Sequence, residues 1–238
     1  RRRVCFHGPL TFSTKKNIRR NPMTDEIIDI YDENMNPIGT ATKAQAHREG
    51  LWHKAFRCWI IKPLPENKCK VWMQLRSSNK RLYPNLLATS AAGHLKSGEQ
   101  NRDGIREIEE ELGLKIPREN LVKLFTSKRY YHDDNMIDNE FNPTYLCEVD
   151  KDFSELTLQP NEVDGIFEFD LEDLINLFNK KIDKIFSSGL VKTADNKSEF
   201  KTGYFWRKDF VPHDDGYYPK VFNTIKRYRE GLSPEAAE

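Results

Sequence analysis

Apolar and polar positions along the chain predict strands mixed with short helices. Glu26-Ile27-Ile28-Asp29-Ile30-Tyr31 reads as a strand, and Asp32 to Pro37 as the turn that ends it. Thr42 to Arg48 reads as a short helix. Ala55 to Ile61 is an apolar run of strand length, which predicts a buried strand. Lys70 to Leu75 is its hairpin partner across Pro63-Leu64-Pro65-Glu66-Asn67. Leu86 to Ala92 leads into a glycine turn, and further strands are expected near 121–126, 144–149 and 165–169. Asp170 is placed to cap a helix whose apolar positions, Leu171, Leu174, Ile175, Phe178, Ile182, Ile185 and Phe186, keep helical spacing over 16 residues. Residues 187–203 read as a polar loop, and Lys220 to Arg229 as a closing helix. With no repeats and no low-complexity linker, this order predicts one α/β domain with helices on both faces of a mixed sheet.

One helix carries candidate chemistry. Glu107, Glu110 and Glu111 are spaced i, i+3 and i+4, so they share a face. Ile105, Ile108 and Leu112 fall nearly opposite, free to pack. Crowded carboxylates repel and need a cation. A hard divalent ion with oxygen ligands, Mg²⁺ or Mn²⁺, suits them, and makes most sense beside a substrate that brings phosphates. The plain alternative is a solvated acidic helix face. Three details favour a site. A tight glycine turn with His94 and Ser97-Gly98-Glu99 precedes the helix, Gly113 stops it with Leu114 free to pack back, and Arg106 is placed to fork-pair with a glutamate.

Composition narrows the class. At 238 residues the chain suffices for one domain with a sizeable core, or one with an appendage. No apolar stretch approaches the roughly 18 residues of a membrane span. Cys5, Cys58, Cys69 and Cys147 form no C-x-x-C pair, which points to a reducing compartment and away from a zinc ribbon. Seven basic residues and no acid lie in residues 1–22; the remainder holds 31 basic against 37 acidic residues. A mildly acidic body argues against a nucleic-acid polymer as partner. The basic head reads as a disordered tail or expression remnant, with a mitochondrial transit segment as the alternative. Residues 23–190 are then the domain, and 191–238 an extension packed on it. The expected location is cytoplasmic, or mitochondrial if the head is a transit segment. Oligomeric state is open.

The segment Gly93, Glu99 and Arg106-Glu107-Ile108-Glu109-Glu110-Glu111-Leu112-Gly113-Leu114 resembles the Nudix box. That pattern is a glycine, five residues, a glutamate, seven residues, then Arg-Glu-apolar-any-Glu-Glu-any-Gly-apolar. Here the second gap is six residues. The missing residue is placed near Asp103-Gly104, which puts the register of Glu99 against the helix in question. The resemblance covers about residues 26–190 and implies an α/β/α sandwich around a mixed sheet. It also implies hydrolysis of a diphosphate bond in a nucleoside-diphosphate-linked or related small molecule. Glu107, Glu110 and Glu111 would ligate Mg²⁺ or Mn²⁺. Glu111 or Glu140 would be the general base, Glu99 would support the metal shell, and Arg106 would orient a ligand.

His47, His53 and His94, with Trp52, Cys58-Trp59 and the later Asp138-Asn139-Glu140, resemble the branch containing isopentenyl-diphosphate isomerase. There, matching histidines bind a metal together with later acidic residues. The resemblance therefore implies that the three histidines converge near Glu140, on a metal or on phosphate; three unrelated polar histidines are the alternative. That isomerase needs a cysteine shortly before the Gly-His pair. This chain has Thr89-Ser90-Ala91-Ala92 there, so isomerase activity is not expected. Arg76, Lys80 and Arg81 would hold a substrate phosphate or form a solvated basic turn. Tyr130 and Tyr131 follow the box where some Nudix enzymes for dinucleoside polyphosphates carry a tyrosine; simple packing is the alternative. The triplets His132-Asp133-Asp134 and His213-Asp214-Asp215 read as polar loops rather than metal sites. The rival readings are an isomerase and a non-catalytic nucleotide-binding domain.

Overall fold

The computed structural model describes residues 25–193, 195 and 197–234. The basic segment 1–22 and Cys5 lie outside the described residues. In chain order the elements are β1 (Ile27–Tyr31), β2 (Pro37–Thr42), α1 (Lys43–Glu49), β3 (Trp52–Pro63) and β4 (Cys69–Arg76). Then come β5 (Leu87–Ala88), β6 (Ala91–His94), α2 (Arg106–Leu112), β7 (Val122–Asp133) and β8 (Met136–Glu148). β9 (Val163–Asp170), α3 (Leu171–Phe178), β10 (Lys184–Lys192), β11 (Ser198–Trp206) and α4 (Tyr217–Arg229) complete the described chain.

All eleven strands join one sheet, ordered β11-β10-β9-β4-β3-β1-β2. β6 and β8 also pair with β3, and β7 pairs with β8. β3 and β8 run parallel while their other neighbours are antiparallel, so the sheet is mixed, as expected. Strand alternation splits the core in two. Trp59 and Ile61 of β3 join Leu146, Phe169, Leu174, Val221 and Phe222 on the α3/α4 side. Phe56, Cys58 and Ile60 join Ile108, Leu112, Tyr145 and Cys147 on the α2 side. A strand covered on both faces needs apolar residues at nearly every position, which is why 55–61, Arg57 apart, reads as an apolar run. Burying each large side chain contributes about 1.5–3 kcal/mol.

Three expectations are corrected. The helix predicted over 171–186 ends at Phe178. Lys180 then takes a left-handed conformation (φ 61), and Ile185 is buried with strand alternation in β10. The loop predicted over 187–203 belongs to the β10–β11 hairpin. Its residues are polar because β11 is an edge strand with most of its side chains in water. Asp170 begins α3 without a side-chain cap and bonds Lys70 Nζ at 2.7 Å instead. β2 and the outer arms of β7 and β8 also escaped the periodicity, since solvent or the cleft takes much of their surface.

The segment around α4 enters the core. Val211 N donates to Leu87 O (2.8 Å), Tyr218 Oη donates to Val211 O (2.8 Å), and Phe210, Tyr218 and Phe222 pack with Phe178 of α3. No helix among the described residues is long and apolar enough to cross a membrane.

Gly104 lets the turn before α2 lie directly on β3. A Cβ there would fall 2.4 Å from the Phe56 side chain. Gly104→Ala should therefore cost about 1–3 kcal/mol. Urea unfolding checks this; a midpoint within error of wild type would contradict the close approach.

Candidate active site

The glutamate helix is set by what precedes it. A 3₁₀ turn over Asn101–Ile105 runs straight into α2. That winding rises about 2.0 Å per residue, against about 1.5 Å in an α-helix. With the gap one residue short, Glu99 still keeps its contact with the helix. Arg106 donates from Nε to Glu99 Oε1 (2.7 Å) and from Nη2 to Glu99 Oε2 (3.2 Å). Its Nη1 reaches Glu107 (2.5 Å) and Glu110 (3.1 Å), and its Nη2 also reaches His94 O (2.9 Å). The expected fork pair is thus made with Glu99. Burial alone would raise the Glu99 carboxyl; the fork outweighs it and holds the group low.

Glu107 and Glu111 face inward. The Glu107 carboxylate lies over Gly93, where a Cβ would come within 2.1–2.4 Å of it. Burial raises the Glu107 pKa despite Arg106. Glu111 is 4% exposed, and its Oε2 accepts from Gln74 Nε2 (3.0 Å) and Ala92 N (3.1 Å). Burial, and then the charge of Glu107, push its pKa up to about 7. Buried Glu111 and half-buried Glu107, both raised in pKa, with Glu110 beside them at the surface, form an oxygen donor set suited to Mg²⁺ or Mn²⁺.

A second cluster lies across the same cleft. The polar ends of β3 and β8 present His53 and Arg57, and Asp138, Glu140 and Asn142, while the other ends of these strands are core. His47 comes from α1 and His94 from β6. The three imidazole rings are 5.1–5.3 Å apart between centroids. His47 Nε2 and His53 Nε2 face Asp138 Oδ1 at 3.6 and 3.4 Å, and His94 Nε2 faces Glu140 Oε1 at 3.8 Å. The predicted convergence near Glu140 is therefore found, with Asp138 as the closer carboxylate for two of the rings. Donor atoms of His47, His53, His94 and Asp138 lie within 4.8 Å of one another. The three Nε2 atoms and Asp138 Oδ1 are buried without a hydrogen-bond partner. His53 Nδ1 lies 2.9 Å from Leu51 O. A carbonyl only accepts, so Nδ1 carries a hydrogen, and in the neutral ring Nε2 holds a lone pair. Burial, and then Lys43, keep His94 neutral well below its usual range. Such a cage of lone pairs fits a divalent cation.

Glu140 does not share that freedom. Arg57 Nη2 (3.1 Å) and Arg129 Nη1 (3.4 Å) both donate to Oε2. Burial would raise its carboxyl, but the two guanidinium groups hold it far below the usual range. Arg57 also donates to Asn142 Oδ1 (2.9 Å).

Arg76, Lys80 and Arg81 all border the cleft, which encloses about 560 Å³. Arg76 is turned onto the Leu82 and Tyr83 carbonyls at 2.8–3.2 Å. Lys80 pairs with Glu162, while Arg81 is largely exposed, 3.6 Å from Asp133. Tyr130 is 66% exposed and packs edge-on against Trp52 at 4.8 Å. His132 and Asp133 end β7 rather than forming a loop; His213 borders the cleft, but neither triplet joins the histidine cluster. Arg57, Arg129 and Gln74 also face the cleft, beyond the residues expected from the sequence. A charge or amide inside a buried strand was the signal for Arg57 and Gln74; Arg129 lay beyond the strand the periodicity found.

The family model for the NUDIX domain matches residues 52–188. An uncharacterized Nudix hydrolase of Clostridium acetobutylicum is 33% identical over 203 residues, 85% of this chain and 98% of that protein. Nudix hydrolase 3 of Arabidopsis thaliana is 30% identical over 86% of this chain, which spans only 24% of that protein. The isopentenyl-diphosphate Delta-isomerase of Citrobacter koseri is 32% identical over 59% of this chain and 75% of its own length. The crystal structure of a Deinococcus radiodurans protein superposes with a TM-score of 0.50 at 21% identity, covering 65% of this chain and 90% of that one.

The Glu111 shift has a defined sign. Its folded pKa, about 7, lies above the ordinary 4.5. Without metal, the stability tied to its proton is complete below about pH 4.5 and is lost as pH rises through 7. In EDTA, Glu111→Gln should therefore melt above wild type at about pH 8, with the gap closing toward about pH 4.5. Mn²⁺ should raise the wild-type melting temperature more than the variant's. Parallel melts across pH check both signs.

Proposed function

Because the chain belongs to the Nudix hydrolase family, whose general reaction is hydrolysis of a diphosphate bond, we propose that its cleft hydrolyses such a bond in a nucleoside-diphosphate-linked or related small molecule. The observation that carries this reading is buried Glu111 beside half-buried Glu107, facing arginines across one cleft. Glu107, Glu110 and Glu111 would hold Mg²⁺ or Mn²⁺, with Glu99 and Arg106 fixing the helix that carries them. A bound ion supplies neutralisation of the phosphoryl oxygens and a lowered pKa for the attacking water. His47, His53, His94 and Asp138 would hold a second divalent ion.

The chain's own groups divide the remaining work. Glu111 is the better base of the two candidates, since no guanidinium pairs with it. Glu140, clamped by Arg57 and Arg129, is a poor proton acceptor and serves to position those arginines. Water adds to phosphorus as Glu111 takes its proton, the bridging P–O bond breaks with its electron pair on the leaving phosphate oxygen, and the proton on Glu111 passes to that oxygen or to solvent. Arg57, Arg129 and the exposed Arg81 are the candidates for the phosphates, with Arg76 holding the loop that carries Arg81. We place this reaction in a unit of residues 23–190 completed by 191–238, in the cytoplasm.

Isomerisation finds less support. No cysteine among the described residues borders the cleft. Cys58 and Cys147 are buried side by side, 3.7 Å between sulfurs, and Ala92 stands at the glycine turn. Incubation with isopentenyl diphosphate should give no dimethylallyl diphosphate above background; conversion would overturn this assignment.

With Mn²⁺ saturating, Glu111→Gln should keep the fold and lose about 10²-fold or more in kcat. Phosphate release from a panel of nucleoside diphosphate sugars, dinucleoside polyphosphates, prenyl diphosphates and oxidised nucleotides provides the assay. Wild-type turnover by the variant would remove the mechanism.

A further inference from the structure

β11 ends the sheet, paired with β10 on one side and with no strand on the other among the described residues. Sheet edges are usually blunted against the addition of another strand, and two other margins of this sheet are. β2 opens on Pro37 and slips register against β1, and β7 slips register against β8. β11 keeps unbroken register with β10 from Ser198 to Trp206 and contains no proline. The direction of its backbone groups follows from the turn before it, where Thr193 N donates to Lys197 O (2.7 Å). Bonded pairs alternate along an antiparallel ladder, so the odd-numbered residues of β11 bond to β10. The N–H and C=O groups of Ser198, Phe200, Thr202 and Tyr204 therefore point to the open side. Asp209 takes the next donor, Trp206 N, at 2.8 Å. Side chains along this edge are aromatic on one face and charged on the other. Phe200 is 63% exposed, with the Phe153 ring 6.2 Å away. Tyr204 and Trp206 are exposed beneath Lys184 and Lys208 respectively. On the opposite face Glu199 and Lys201 pair at 2.7 Å.

We infer that β11 is the contact surface for a second copy of this chain, added antiparallel about a two-fold axis at Phe200. Such an axis sets Phe200 against Phe200 of the second copy, Glu199 against its Lys201, Lys201 against its Glu199, and Ser198 against its Thr202. Each is a favourable cross-strand pair: aromatic with aromatic, acid with base, hydroxyl with hydroxyl. Ser198, Phe200 and Thr202, whose backbone groups face the open side, become the bonded positions of the new ladder. Phe153 beside each Phe200 extends the aromatic row into both copies. Charge fixes the register. An axis one residue earlier sets Glu199 against Glu199, and one residue later sets Lys201 against Lys201; like charges directly opposite destabilise a sheet. An axis at Thr202 sets Lys201 against Gly203 and Glu199 against Phe205, which pairs no opposite charges. The two-fold contact consumes the open edge of both copies, so it closes at a dimer. No residue of β11 lines the glutamate cleft, and the inference stands apart from the diphosphate reaction.

Sedimentation of the full chain across a concentration series tests it. A monomer–dimer equilibrium is expected, with Kd below about 100 µM. Lys201→Glu and Glu199→Lys should each weaken it at least about tenfold, because the two-fold axis makes each change meet like charge twice. The double variant, Glu199→Lys with Lys201→Glu, exchanges the charges and should restore wild-type association, with circular dichroism showing all three variants folded. Phe200→Cys should give a disulfide-linked dimer under mild oxidation where wild type gives none, since facing bonded residues bring their Cα atoms to about 5.5 Å. A chain that stays monomeric at about 100 µM would overturn the inference. So would a dimer indifferent to the single charge reversals, one that the double exchange fails to restore, or one in which Phe200→Cys forms no cross-link.

Discussion

Carboxylates taken out of water must be matched by a fixed opposite charge, and that constraint organises this molecule. Arg106 meets it for the helix, touching Glu99, Glu107, Glu110 and the His94 carbonyl at once. One guanidinium thus joins the glycine turn, the acidic helix and the end of β6. Arg57 and Arg129 meet it for β8 by sharing Glu140. Glu111 has only amide donors within hydrogen-bond reach, and burial raises its pKa to about 7. The matched carboxylates build the site; the unmatched one is left for chemistry.

That division explains how β3 serves both core and cleft. Its inner half carries Trp59 and Ile61 toward α3 and α4, while the same face nearer its start carries His53 and Arg57. A polar group in such a strand is tolerated only with full partners. Arg57 has three: Asn142, Glu140 and Tyr217. The last comes from α4, so the closing helix stabilises the charge at the centre of the cleft as well as the core beneath it.

Much of this was legible beforehand because it is local. Glu107, Glu110 and Glu111 share a face by helical spacing alone, and the apolar run 55–61 could only be an inner strand. The histidines converged as expected because their neighbouring residues match a known arrangement in order. The rest depends on distant packing. Ile185 and Phe186 extend a helical period by coincidence, and the left-handed Lys180 breaks it. The outer arms of β7 and β8 are polar because they line a cleft, which no window along the sequence reveals. Nor does Arg76 announce that its own loop will occupy its guanidinium, since Leu82 and Tyr83 reach it only after the loop folds back.

β3 and β8 pair in parallel at a constant offset, His53 beside Glu140 and Arg57 beside Thr144. Side chains on a strand alternate, so one residue gained or lost in either would turn its polar half away from its partners. Substitutions can accumulate there one at a time, but changes of length cannot. Lineages that share this arrangement should differ in length between the strands and keep the count within them. A duplicated copy free to drift would reveal its loss of function first as a frame of odd length between His53 and Arg57, or between Asp138 and Glu140.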